Sequence, residues 1–277
     1  MADFLAFQRC PIQYGTFKAR KYEPALQVQL FYGRVVHEVL DRAHAHYRGL
    51  VDPGTRGTIP SSSDIEDFFT EVENSLRAQR ISAVRNVREH ALRVLQRFNE
   101  LEGPQLYPRV LDTECRLQAD QETYLLHGVV DVLARSINDS STIEIWDYKG
   151  SKRPSIREPI HRHHVFQMQV YAELYRRKTN ILPTQGIVYF LGELGGEYPP
   201  RATPRSAVMV VDFDPENIQS GMDEFGRVVE NIEQCISTNT WPNPVNEPPG
   251  GTCVACDLRW NCAATRAFGN RYQLLYP

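Results

Sequence analysis

The segment HGVVDVLARSINDSSTIEIWDYKG, residues 127–150, decides how we interpret this chain. Apolar residues dominate both of its halves and NDSS in the middle is typical of a turn, so the segment predicts two antiparallel strands. Side chains alternate along a strand, so Asp147 and Lys149 are expected on one face and Tyr148 on the other. A D-x-K triplet is usually a surface ion pair, but this one directly follows the apolar run IEIW. We therefore treat it as a candidate site.

Two further acids are expected close to Asp147. The predicted pairing brings Asp131 beside it, and LDTECRLQA (111–119) predicts a third strand of the same meander, which carries Glu114. Three converging carboxylates repel one another unless a hard cation joins them, and Mg²⁺ prefers carboxylates, waters and phosphate oxygens. A lysine beside such a cation can stabilise the charge that develops on a phosphate. The pattern predicts hydrolysis of phosphodiester bonds with Mg²⁺ or Mn²⁺.

The rest of the chain alternates between helical and strand periodicity. Residues 32–47 predict a helix with His37 beside its apolar stripe, and Ser63 with Glu66 predicts a capping box for the next helix. In the third helix (84–98), the apolar face leaves three arginines on what we expect to be a solvated side: Arg85, Arg93 and Arg97. Later segments predict a helix at 165–178, strands at 185–193 and 207–214, and a helix at 215–237.

The overall charge limits how the chain could bind nucleic acid. The 277 residues carry 31 Lys and Arg against 34 Asp and Glu, a net charge of −3, so any nucleic-acid binding must come from local patches. One such patch follows the D-x-K triplet: residues 149–164 hold five Lys or Arg, three His and one Glu. We expect Lys152, Arg153 and Arg157 to contact phosphates. The three histidines (His161, His163 and His164) are expected in DNA contact or in a solvated loop.

These motifs together resemble the RecB-type branch of the PD-(D/E)xK nucleases, over most of the chain. The matching residues are His37 in YGRVVHEVL, Asp131 in HGVVD, Asp147 and Lys149 in WDYKG, and the pair Gln167 and Tyr171 on the following helix. The resemblance implies that the histidine and the acids hold one or two divalent ions. It also implies that the backbone carbonyl of Tyr148 adds a ligand, and that Gln167 and Tyr171 support the site and the DNA. The proline of the family motif is replaced by Val130.

Six cysteines in a chain without a predicted export signal or membrane span favour metal binding over disulfides. We expect a cytoplasmic protein. Cys115 and Cys235 lie in apolar segments and are expected in the core. The others are a terminal C-x2-C-x5-C group and a lone N-terminal cysteine, and the resemblance implies that these four are ligands of one metal centre: Cys10, Cys253, Cys256 and Cys262. By spacing alone, four thiolates fit zinc or an iron–sulfur cluster. The iron–sulfur subset of the family, which includes CRISPR-associated adaptation nucleases and helicase-linked domains, implies a [4Fe-4S] cluster here.

We therefore expect an α/β protein with a restriction-endonuclease-like core, a mixed central sheet flanked by helices. The chain is expected to be one nuclease domain (1–277) with a helical insertion at about 34–101, a core at about 105–238 and a cluster-binding subdomain from 1–20 and 239–277. The expected activity is that of a metal-dependent DNase, an exonuclease on single-stranded DNA ends, in repair, recombination or defence.

Two alternatives stay open. The chain could be a DNA-binding or processing module with a helicase or CRISPR-associated partner, or an inactive nuclease fold with a zinc staple and a regulatory role. A nuclease assay with Mg²⁺ or Mn²⁺ distinguishes the inactive, zinc-stapled fold from an enzyme.

Overall fold

In the computed structural model, five strands form one mixed sheet in the order β1-β2-β3-β4-β5. The structure describes residues 2–22, 28–121, 124–245, 248, 252–253, 256–259, 262 and 264. The strands are β1 (Val110–Asp120), β2 (Leu125–Arg135), β3 (Ile143–Lys149), β4 (Gln185–Phe190) and β5 (Val208–Asp212). Strands β1 to β3 are the predicted antiparallel meander, β4 runs parallel to β3, and β5 is antiparallel to β4.

Helices cover both faces of this sheet. They are α1 (Ala2–Arg9), α2 (Pro11–Tyr14), α3 (Val28–Arg48), α4 (Ser62–Ala78), α5 (Arg85–Leu101), α6 (Gly103–Leu106), α7 (Pro159–Thr179) and α8 (Pro215–Thr238). Among the described helices, none is long and apolar enough to cross a membrane. The mixed sheet between two helical layers confirms the predicted fold class.

Two cores lie back to back, divided by the sheet. On one face, α3, α4 and α5 pack on aromatic residues of the central strands, Trp146, Tyr148 and Tyr189. On the other face, α1, α7 and α8 pack on Ile145, Val188 and their neighbours. Cys115 and Cys235 are buried in this second core, as predicted. Helix α7 provides the crossover that a parallel connection between β3 and β4 requires.

Three local predictions were wrong. The capping box of α4 is formed by Ser61 and Asp64 rather than by Ser63 and Glu66, because the helix begins two residues earlier. Helix α7 begins at Pro159 rather than at the predicted residue 165, so the histidine-rich stretch forms its first turns instead of a loop.

The third correction concerns Arg97, which was expected on a solvated face. Its side chain is buried, and its guanidinium donates to the carbonyl oxygens of Leu194, Gly196 and Glu197. The first carbonyl lies in a short 3-10 turn (Leu191–Leu194) after β4 and the other two follow it. Leu194 is buried, so its carbonyl needs a donor from the protein. The arginine thus ties α5 to the end of the sheet.

Candidate active site

The candidate site opens where β2 and β3 separate. Their ladder pairs Val132 with Trp146 and continues from there toward Arg135, away from the site. Beyond that pair, the backbone N–H of Tyr148 donates to the Asp131 carboxylate, with 2.6 Å between N and Oδ2. A side chain therefore takes the place of the next rung, and the two strands diverge around it.

Strand β2 also changes sides at Asp131. Val130 packs in the core beneath α7, whereas Val132, two residues later, packs in the core beneath α3. Residues two apart on a regular strand share a face, so the strand must twist sharply between them. On the facing strand, Glu114 has a φ of 47°, a left-handed conformation that is uncommon outside glycine. This pair of distortions turns Asp131 and Glu114 toward α3.

Helix α3 brings His37 to the same point. One ligand atom from each of His37, Glu114 and Asp131 lies within 4.8 Å of the other two, and we call these residues the acid–histidine trio. The His37 Nδ1 and Asp131 Oδ1 atoms are 3.3 Å apart. A nitrogen and two carboxylates so close together form a donor set that divalent cations accept.

Electrostatics of the trio reflect this crowding. Partial desolvation raises the pKa of Glu114 to about 7 although the residue is exposed, and the negative charge of Asp131 adds to the effect. Burial alone would lower the pKa of His37, but the hydrogen bond and charge of Asp131 outweigh it and raise the pKa overall. Both shifts favour the protonated forms of Glu114 and His37, with which a bound metal would compete.

Asp147, Lys149, Gln167 and Tyr171 form one buried network beside the trio. Gln167 Nε2 donates to Asp147 Oδ1 at 3.1 Å and to the Tyr171 hydroxyl at 2.9 Å. Gln167 Oε1 accepts from Lys149 Nζ at 3.1 Å. A single amide therefore fixes the acid and the lysine of the D-x-K triplet, which lie on one face of β3 as expected. Tyr148 points to the opposite face, into the core beneath α3.

The second oxygen of Asp147, Oδ2, is buried and forms an ion pair with Lys149, with 2.6 Å between Oδ2 and Nζ. Burial raises the pKa of Asp147, and the charge of Lys149 only partly offsets it. A buried carboxylate is costly to ionise, so a divalent ion at the trio would stabilise its charge together with the Lys149 ammonium. Asp147 Oδ2 and the acid–histidine trio therefore fit a divalent metal.

The comparisons with known proteins bear on this arrangement. The sequence profile of the PD-(D/E)XK nuclease superfamily matches residues 3–263. The chain belongs to this superfamily. Its members hydrolyse phosphodiester bonds and generally use divalent metals, so the prediction of a phosphodiester-hydrolysing nuclease is confirmed.

One solved structure shows the same fold. A crystal structure of a "putative exonuclease" from Eubacterium rectale has 11% identity and a TM-score of 0.52, covering 97% of this chain and 83% of the other. The structure of SSO0001 has 16% identity over 84% of each chain, with a TM-score of 0.31. No curated protein matches the chain.

One residue of this PD-(D/E)XK site escaped the sequence reasoning. His44 lies two turns after His37 on α3, fully buried, and its Nε2 is 3.0 Å from the Tyr148 hydroxyl. Burial lowers its pKa to about 3, so the ring is neutral at neutral pH. This contact holds α3 against β3 at Tyr148, the residue whose backbone N–H donates to Asp131. A histidine among apolar helical residues gives no sequence signal that distinguishes it from an ordinary core residue.

The basic segment after β3 is only partly as predicted. Lys152, Arg153 and Arg157 are exposed, but the Arg153 guanidinium donates to the carbonyl oxygen of Val208. His164 is buried against Phe190, with 5.4 Å between ring centroids, so its predicted role in DNA contact or a solvated loop was wrong. Burial lowers its pKa to about 3. His161 and His163 are half-buried on α7.

The four predicted thiol ligands meet at one place. Cys10, Cys253, Cys256 and Cys262 line a common small cavity, with Ile12 and Leu258 among its other walls. Burial raises the pKa of Cys10, and nearby Cys262 and Cys256 raise it further. Among the described residues, no three of these sulfur atoms lie within 4.8 Å of one another. Residues far apart in sequence are thus brought together with room between their thiols.

Proposed function

We propose that this protein is a metal-dependent deoxyribonuclease that degrades single-stranded DNA from an end. The observation that carries the proposal is the meeting of the acid–histidine trio with the buried ion pair of Asp147 and Lys149. Such an arrangement is unfavourable in an empty protein and favourable around a cation and a phosphate. It speaks for a working nuclease site rather than an inactive fold.

Each residue has a proposed part. Asp131, Glu114, His37 and Oδ2 of Asp147 would hold Mg²⁺ or Mn²⁺, with the Tyr148 carbonyl as a further ligand. Bound divalent ions supply activation of a water molecule and neutralisation of phosphate charge. Lys149, held by Gln167, can stabilise the additional negative charge on the phosphate as it is attacked. Tyr171 positions the amide of Gln167.

Burial of the carboxylates supports a single-stranded substrate. The side chain of Asp147 is 3% exposed and that of Asp131 is 11% exposed, so the scissile phosphate must enter a recess. A flexible single strand can extend one phosphate into such a recess, whereas a base-paired strand is held against its partner. An end can be threaded there without bending the strand.

The substrate can be tested with four forms of one DNA sequence: linear single strand, circular single strand, blunt duplex and tailed duplex. We expect Mg²⁺- or Mn²⁺-dependent loss of the linear strand and of the tail only, and none with Lys149→Met. Cutting of the circle would show endonuclease activity. Equal rates on the blunt duplex would refute the preference for single strands.

We further propose that the four cysteines bind a [4Fe-4S] cluster. The four thiols line one small cavity. By spacing alone they fit zinc or an iron–sulfur cluster, and the resemblance to the iron–sulfur subset of the family supports the cluster. Anaerobically purified protein should be brown and contain close to four iron atoms per chain, roughly the content of one such cluster. Colourless protein with one zinc would refute the cluster and leave the nuclease proposal intact.

The proposed partners and pathway rest on the resemblance to the RecB-type nucleases. We propose that the helical segment at about 34–101 and the terminal subdomain (1–20 and 239–277) surround the core at about 105–238. A helicase or CRISPR-associated protein remains the proposed partner. Co-purification from the native host with tagged protein would test it, and recovery of the chain alone would argue for an independent nuclease.

A further inference from the structure

A second cleft adjoins the proposed active site. It has a volume of about 750 Å³ and lies between the first turns of α3, the first half of α5 and the segment that follows β3. Its walls include Gly33, one helical turn before His37, and Gly150, the residue after Lys149. The cleft therefore reaches the acid–histidine trio along α3 and the D-x-K triplet along the chain.

Two aromatic rings form one wall of the cleft. Tyr32 and His90 are stacked, with ring centroids 5.8 Å apart and an angle of 27° between their planes. Burial and the charges of Arg93, Arg97 and Lys152 lower the pKa of His90, so its ring is neutral at neutral pH. The Tyr32 hydroxyl is buried without a hydrogen-bond partner, and burial raises its pKa to about 12. Neutral, half-buried rings of this kind suit stacking with a nucleobase.

The cleft also has cations that no acid neutralises. Arg93 lines it, and Lys152 lies next to the lining residue Ser151. In the described part of the chain, no carboxylate is within ion-pairing distance of either one. Other arginines nearby are paired: Arg34 with Glu38 and Arg85 with Glu89. Exposed cations that lack acidic partners beside an aromatic wall are the combination that binds a nucleic-acid backbone.

Close packing holds this cleft in shape. A Cβ atom on Gly150 would lie 2.4 Å from Cε1 of Tyr32, so only glycine permits this approach. On the other side, Gly192 lies against the backbone of Ser151 and Lys152, where a Cβ would be 2.5 Å from the Ser151 carbonyl carbon. The ring of Tyr32 and the backbone after β3 are thus fixed relative to Lys149.

We propose that this cleft binds the unpaired nucleotide next to the scissile phosphate. Its base lies against Tyr32 and His90, and the phosphate on its far side contacts Arg93 and Lys152. This inference rests on the proposed nuclease function and specifies how that site selects its substrate. A base that stacks here has left its complementary strand, so the cleft discriminates against duplex DNA.

Binding of fluorescent oligonucleotides with Mg²⁺ tests the proposal, in a Lys149→Met background that prevents cleavage. His90→Ala should weaken single-strand binding by roughly 5- to 100-fold, the loss of about one stacked base. Arg93→Gln should weaken binding and reduce the slope of log K against log salt by about one phosphate contact. Blunt-duplex binding should not change with His90→Ala.

Matched variants separate stacking from folding. Arg85→Gln removes a paired arginine from α5, the helix that carries His90 and Arg93, so this variant should bind as the parent does. His90→Phe should restore binding. An oligonucleotide with one abasic residue at the stacked position should bind His90→Ala and its parent equally.

The outcomes distinguish this inference from the proposed function. If His90→Ala and Arg93→Gln bind single strands as the parent does while wild-type protein still cleaves them, the cleft assignment is wrong and the nuclease remains. If wild-type protein neither binds nor cleaves single strands with Mg²⁺ or Mn²⁺, both fail.

Discussion

At the scale of single residues, Gln167 connects the parts of the site. It is the only described side chain that hydrogen-bonds both Asp147 and Lys149, and it lies on α7 while they lie on β3. The strand places the acid and the lysine on one face, but it does not fix the directions of their polar atoms. The amide does so by accepting from one and donating to the other.

Replacement of Gln167 by leucine should therefore lower kcat by about ten- to a hundredfold. The substitution leaves Asp147 Oδ1 without its donor and releases Lys149, a loss of roughly 1–3 kcal/mol for a buried polar group. Tyr171→Phe is the matched control, because it removes one acceptor and leaves both contacts to β3 in place. Its kcat should fall less than about threefold. Equal losses in the two variants, measured at saturating metal, would contradict this role for Gln167.

Sequence reasoning at this scale succeeded where alternation decides the answer. The period of a strand put Asp147 and Lys149 together and Tyr148 on the other side, and the antiparallel turn brought Asp131 near them. It could not predict the twist at Asp131, because the sequence VVDV contains no signal that the strand changes the face on which its side chains pack. It also could not assign Gln167 an orientation, because that depends on how α7 packs across β3.

At the scale of elements, α5 shows that helical periodicity cannot predict burial of a polar side chain by a segment distant in sequence. The helical pattern placed Arg97 off the apolar stripe and so in solvent, yet the structure buries it against three backbone carbonyls. The partners come from a turn nearly 100 residues later in the chain. The late predicted start of α7 has a related cause: its first turns carry polar residues, and the apolar pattern appears only where the helix is covered.

Arg97→Met should destabilise the protein by about 2–3 kcal/mol, because it keeps the buried stem and leaves the carbonyls without donors. Arg85→Met on the same helix is the control. That side chain is 90% exposed and pairs only with Glu89, so its removal should leave stability unchanged. Urea unfolding curves compare the two. Identical midpoints for both variants and wild type would show that the buried contacts contribute nothing.

At the scale of the whole molecule, the cysteine cavity ties the two ends of the chain together. Cys10 lies between α1 and α2, and α1 packs on α7 and α8 through stacked Phe4, Phe166 and Phe225 rings. The other three cysteines follow more than 240 residues later. Spacing alone predicted that these thiols could share a metal, but the identity of the distant partner came from the family resemblance.

Cys10→Ala should loosen both ends if a metal centre joins them. Closure of so long a loop is worth about 5 kcal/mol in the chain-entropy model, which is an upper value. Hydrogen exchange should speed up in α1 and α2 and remain slow in β3. Cys235→Ala, a buried thiol outside the cavity, is the control and should not alter exchange in α1. Unchanged protection of α1 and α2 in Cys10→Ala would argue against a metal link between the ends.

The central claim is that the carboxylates between β1, β2 and β3 form a metal-dependent nuclease site, and Asp131→Asn tests it most directly. The asparagine keeps an oxygen for the Tyr148 N–H and removes the charge that a cation requires. Asp212→Asn, at the exposed end of β5, is the matched control. Single-turnover cleavage of linear single-stranded DNA should fall by at least about a thousandfold in Asp131→Asn and stay unchanged in the control, at every Mn²⁺ concentration. Wild-type rates in folded Asp131→Asn protein would contradict the account.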